Sequence, residues 1–201
     1  MYLPEYFRVK DLPLIEKMVE KHSFAWLVSP WEEDVEITPL PVLVQRDGDC
    51  LIIRAHMARQ NPHWTHLNGK TASIIVLGPH HYISPRWYVE EKSVPTWNYI
   101  LIKITGRFEI LAPDETRKVV IDLSEKFDPE WRMKKMEEQK YYQAMLKQIV
   151  GFRIRSERIE AKFKLTQNHP REDLIGVHTN LQNSDENGVE MAELMEQLGL
   201  V

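Results

Sequence analysis

The chain contains a single cysteine, Cys50, in 201 residues, which excludes an internal disulfide and any metal centre built from cysteines. A reducing cytoplasm is the compartment that matches. Positive charge is not in excess: 26 Lys and Arg stand against 30 Asp and Glu, a formal net charge of -4. No global field therefore draws the protein to nucleic acid or to an anionic membrane. No apolar run approaches the roughly 20 residues of a membrane span, and Met1 to Lys10 lacks the apolar stretch of a signal peptide. Walker A, G-x-G-x-x-G, G-x-S-x-G and H-E-x-x-H patterns are all missing, which removes the usual routes to nucleotide binding, serine hydrolysis and zinc peptidase chemistry. There is no internal repeat and no low-complexity tract.

What the sequence does hold is a concentration of polar and aromatic side chains between His56 and Tyr99. It comprises H-M-A-R-Q-N-P-H-W (His56 to Trp64), G-P-H-H-Y-I-S-P-R-W-Y (Gly78 to Tyr88) and V-P-T-W-N-Y (Val94 to Tyr99), and it takes five of the eight histidines. Such a grouping points to a planar or anionic ligand. With 43% hydrophobic residues the chain can bury one sizeable core. The expected organisation is one domain over residues 1–168 and a C-terminal helical tail over 169–201.

Leu12, Ile15, Met18 and Val19 fall on one face of a helix over Leu12 to Lys21. Phe24 to Ser29, Glu36 to Gln45 and Cys50 to Ala55 read as strands, with Asp47-Gly48 as a hairpin turn that tolerates positive φ. Asn61-Pro62 opens a short helix to Leu67, proline being preorganised for a first turn and asparagine able to cap it. Ala72 to Leu77 and Tyr99 to Leu111 read as strands, and Gly78 to Asn98 between them as a structured loop. Helices are expected over Asp114 to Phe127, capped by Asp114, and over Lys134 to Ile149. Strands follow at Val150 to Arg155 and Ile159 to Leu165. Gln182 to Gly188 reads as a linker, and Val189 to Leu200 as an amphipathic helix. Many short strands without βαβ alternation predict a mainly β (α+β) fold, an antiparallel barrel with helices around it.

The strand ending at Ala55 runs into His56, Met57, Ala58, Arg59 and Asn61 just before a helix start. Backbone N–H groups, a helix terminus and a guanidinium fork then converge as in a phosphate site; the alternative is a solvated arginine in a capped turn. Lys164 and Thr166 project to one side of an extended chain and could complete an anion or ring-edge site, or form an exposed strand end. His63 and His66 share a helix face, but without carboxylate or cysteine partners a metal site is not expected. Trp64, Trp87, Tyr88, Trp97 and Tyr99 suit stacking on a flat cofactor, a dimer contact or a core. The lysines of Lys134 to Ile149 are interspersed with Glu137 and Glu138, so no DNA-reading helix pair is visible.

Taken with I-V-G-F-R-I at Ile149 and K-L-T-Q-N at Lys164, these motifs resemble the PaiB family of FMN-binding negative transcriptional regulators from about Met1 to Leu181. The resemblance implies a split β-barrel of the FMN-binding type, a cytoplasmic homodimer with FMN at the subunit interface, and repression of sporulation and degradative-enzyme (protease) genes. DNA is a partner on that ground alone; a membrane is not. By motif position, His56, Met57, Ala58, Arg59 and Asn61 would contact the phosphate side. Thr38, Pro39 and Leu40 would lie along the ring, and Lys164, Thr166 and Gln167 would close the site. Tyr82, Ser84, Trp97 and Asn98 would form the loop that completes the pocket or dimer contact. No catalytic residue is assigned. An FMN-dependent oxidoreductase and a haem-binding split-barrel protein are the alternative readings.

Overall fold

The structure, a computed structural model, describes residues 1–89, 93–130 and 140–201. Eight strands are described: β1 (Arg8–Val9), β2 (Phe24–Trp31), β3 (Asp34–Pro41), β4 (Leu43–Asp47), β5 (Cys50–Ala58), β6 (Thr71–Ile83), β7 (Thr96–Ile110) and β8 (Ile149–Lys164). The described helices are α1 (Leu12–Lys21), α2 (Pro113–Phe127), α3 (Lys140–Leu146), α4 (Arg171–Gln182) and α5 (Glu186–Gln197). Hydrogen-bonded strands follow the order β3-β2-β6-β7-β8-β5-β4, with β1 on β8, and the pairs with resolved register are antiparallel.

The residues fall into two compact units: Met1–Asp11, Leu77–Ile102 and Glu160–Val201 in the first, Leu12–Val76 and Lys103–Ile159 in the second. In the second unit α1 buries Leu14, Ile15, Met18 and Val19 and packs on β4, while α2 packs on β4 and β5. Leu111, Val119 and Leu123 form a buried cluster under α2, with Leu43 against it. Each such side chain contributes about 1.5 to 3 kcal/mol on burial. The β4–β5 hairpin closes at Asp47 and Cys50, and Gly48 takes φ +60 there, as the Asp-Gly pair predicts. In the first unit α4 and α5 pack on each other, and α4 packs on the 3₁₀ turn Pro85–Trp87.

Several elements differ from the sequence reading. Glu36 to Gln45 is two strands, because the chain breaks at Val42 between Pro41 and Leu43. The expected loop from Gly78 continues β6 to Ile83, and the two expected strands after Ile149 are one. α2 starts at Pro113 with Ala112, not Asp114, at its cap position; Glu115 reaches back to the Ala112 N–H at 3.2 Å. α4 lies within the helical tail expected over 169–201, but its own bounds are not legible in the sequence, since its polar face hides the spacing of Leu174, Val177 and Leu181. The expected linker at Gln182 is a short turn, and Asp185 caps α5 by accepting from the Gly188 N–H at 2.9 Å. The helix expected from Lys134 lies partly outside the described residues, its described part being α3.

Candidate functional site

Sequence-predicted residues of the second unit gather around the turn after β5. Strand alternation turns Met57 inward, 4% exposed, and leaves His56 half-buried and Ala58 and Arg59 exposed. Arg59 is held firmly. Its Nε donates to the Lys147 carbonyl at 2.9 Å and an Nη to the Ile149 carbonyl at 3.0 Å. The guanidinium lies 5.8 Å from the Trp64 ring centroid, and Trp64 Nε1 donates to the Arg59 carbonyl at 3.0 Å. A guanidinium has five N–H donors, so two carbonyls leave it with spare capacity. Arg59 and Trp64 line a cleft of about 420 Å³ with Arg117, Lys147 and the first turns of α2, and among the described residues Asp114 is the one carboxylate that lines it. Basic groups therefore outnumber acidic ones on its walls.

Behind the turn lies a buried polar network. Asn61 caps the 3₁₀ turn Pro62–His66 as predicted, its Oδ1 accepting from the His63 N–H at 2.9 Å. Its Nδ2 donates to Thr38 Oγ1 at 3.0 Å. His63, fully buried, lies between Thr38 Oγ1 at 2.8 Å from Nδ1 and Ser29 Oγ at 2.9 Å from Nε2. Burial, then the neighbouring His66, pushes the His63 pKa down to about 4, so the ring is neutral at physiological pH. On β3, Thr38 and Leu40 point inward and Pro39 is exposed, opposite Trp26 of β2. His56 Nδ1 is buried without a hydrogen-bond partner, and burial lowers its pKa. Ser29 was not singled out by sequence; His63 was, through its helix face shared with His66 and the asparagine cap two residues before it.

In the first unit the structure brings K-L-T-Q and W-N together. Asn98, fully buried, donates through Nδ2 to Thr166 Oγ1 at 2.8 Å, while its Oδ1 has no partner. Thr166 adopts φ +71, a strained conformation for a β-branched residue of a kind that concentrates at functional positions. Lys164 Nζ donates to the Trp97 carbonyl at 2.8 Å and to Thr96 Oγ1; burial, then Lys162, lowers its pKa. Gln167 folds back on its own strand end, bonding the Leu165 N–H and the Phe163 carbonyl. Ser84 caps the 3₁₀ turn at Pro85. Tyr82 and Trp97 are exposed and meet edge to face at 6.0 Å.

A family model described as "Putative FMN-binding domain" matches residues 1–158. The chain is 34% identical over 201 residues to the protease synthase and sporulation protein PAI 2 of Bacillus subtilis (strain 168), a match covering 98% of this chain and 97% of that protein. The chain belongs to the PaiB family. This chain is also 28% identical over 229 residues to an uncharacterized protein of Emericella nidulans, with 91% of each chain covered. Among solved structures, the FAD and heme binding protein from Mycobacterium smegmatis is similar with TM-score 0.62 and 16% identity, over 79% of this chain and 73% of that one. The flavocytochrome Anf3 from Azotobacter vinelandii gives TM-score 0.64 and 12% identity, over 80% and 72%. These likenesses show the fold, the antiparallel split-barrel class expected from the sequence.

The cofactor of this PaiB-family protein is FMN, and FMN brings a phosphomonoester, a polar chain and a flat ring. The residues present fit it. In the second unit, Arg59 has donors to spare beside an indole, and His56 Nδ1 is a buried nitrogen without a hydrogen-bond partner.

Proposed function

We propose that this chain is a PaiB-type transcriptional regulator, a cytoplasmic homodimer that responds to FMN bound through the Arg59 turn. The observation that carries the flavin reading is the Arg59 guanidinium, fixed by two backbone carbonyls beside Trp64 in a cleft with a surplus of basic groups. A preoriented guanidinium loses little freedom on binding a phosphate, and its fork matches phosphate oxygens. When bound, the flavin supplies a ring whose redox state can change. In the first unit, Lys164, Thr166 and Asn98 form a polar group of their own, with Asn98 bonded to Thr166 and Lys164 to the Trp97 carbonyl.

Support for the dimer comes from the outward face of β2 and β3. Phe24, Val35 and Ile37 are exposed there, next to Trp26, Val28 and Pro39. An edge strand that is apolar on its exposed face is a surface that a second copy covers. Regulation runs through flavin state or a protein partner rather than a groove-reading helix. Arg54, Arg153 and Arg155 on β5 and β8 are each tied to a carboxylate, Asp122, Glu109 and Asp47 respectively, and so offer little free charge to a DNA backbone.

Comparing FMN with riboflavin tests this reading. FMN should bind at least about tenfold more tightly than riboflavin, the worth of one charge-assisted contact, and Arg59→Ala should erase that preference. Equal binding of the two flavins by the parent protein would overturn the phosphate role of Arg59.

A further inference from the structure

The hydrogen bonds behind the Arg59 turn have a direction, and it can be read from one end. A backbone N–H can only donate, so the atom of Asn61 facing the His63 N–H at 2.9 Å is its oxygen, and its amide nitrogen faces Thr38 Oγ1 at 3.0 Å. Thr38 accepts that bond. Its own single proton has His63 Nδ1 at 2.8 Å. With Nδ1 as acceptor, the neutral ring carries its proton on Nε2, which meets Ser29 Oγ at 2.9 Å. The Ser29 proton is then left for His66 Nε2 at 3.4 Å. His66 must hold its own proton on Nδ1, a buried atom without a hydrogen-bond partner, while Trp31 packs edge-on against its ring at 3.6 Å.

We propose that Asn61, Thr38, His63, Ser29 and His66 form a polarised hydrogen-bond row in which His63, with its proton on Nε2, is the positioning residue that locks the anion-binding turn onto β2 and β3. The inference rests on the reading of that turn as the flavin phosphate site. It deepens that reading by assigning Thr38 and Asn61 to the support of the turn. The Thr38 hydroxyl and both polar atoms of the Asn61 amide are already engaged. Contact with the flavin phosphate at this turn then rests mainly on Arg59 and backbone N–H groups, with one amide N–H of Asn61 to spare. The opposite polarity would give His63 Nδ1–H to Thr38 and leave the Thr38 proton outside the row. Only the proposed direction gives every hydroxyl in the row both a donor and an acceptor role.

The test is long-range ¹H–¹⁵N NMR of the histidine rings in the full chain at neutral pH, which reports which nitrogen carries the proton. His63 should be protonated at Nε2 and His66 at Nδ1. Thr38→Val, close in shape but without the hydroxyl, should remove the His63 preference and weaken FMN binding about tenfold; Thr38→Ser should restore both. A His63 ring protonated at Nδ1 in the parent overturns the polarity. Unchanged FMN affinity in Thr38→Val overturns the positioning role. If the parent binds no FMN, the flavin reading fails, and the ring tautomers still decide the direction of the row.

Discussion

Taking the protein from about pH 7.5 to about pH 4.5 should cost about 2 to 3 kcal/mol of stability through His63 alone. In the unfolded chain its imidazole titrates near the ordinary value of 6.5, whereas burial and His66 hold it down to about 4 in the fold. Between those values the unfolded state takes up a proton that the folded state refuses. The His63 contribution is therefore flat above about pH 6.5, and stability falls as the pH drops toward 4, by about 1.4 kcal/mol per pH unit. Urea unfolding midpoints of the parent and of His63→Gln at the two pH values isolate this effect. His56, whose pKa is also lowered, acts in both proteins and cancels in the difference, while His66, coupled to His63, is replaced in a His63→Gln/His66→Gln pair compared with His66→Gln alone. The variant should be less stable at neutral pH and should lose distinctly less on acidification. An identical loss in the two proteins would refute the idea that His63 is held neutral by its buried setting.

Other outcomes follow from particular contacts. Gly106→Ala should destabilise the fold by about 2 to 3 kcal/mol, because the added methyl would overlap the Arg155 carbonyl; thermal melts measure it. Ile37→Glu should place a charge on the exposed β3 face and convert the dimer to monomer in light scattering, with little change in melting temperature; a monomeric parent would contradict the dimer. Arg59→Ala should lower FMN affinity about ten- to hundredfold, as read by flavin fluorescence.

The parts of the fold governed by short-range rules were legible in the sequence. The helical spacing of Leu12 to Lys21, the Asp47-Gly48 hairpin and the Asn61 cap all appear at their expected places. Less legible were features decided by tertiary contacts. Strand β6 runs on through Gly78 and Pro79 where proline and glycine signal a loop, because strand pairing overrides local propensity. Helix α4 carries its buried residues among polar ones, with a moderate apolar face, and declares itself only on packing against α5.

The motifs drew attention to Arg59 and Asn61 as candidates, but the alternation along β3 that turns Thr38 and Leu40 inward follows from its pairing with β2. No spacing rule links Ser29, Thr38 and His63, which are far apart in the chain and meet only in the folded network. The pairing of Asn98 with Thr166, 68 residues apart, is likewise a product of the fold and not of either motif.

The most direct test of the account is a titration of the purified full chain with FMN followed by flavin fluorescence. The account predicts saturable quenching at about one flavin per chain with micromolar affinity or better, about -8 kcal/mol or stronger. Absence of saturable binding at flavin concentrations well above micromolar would contradict it.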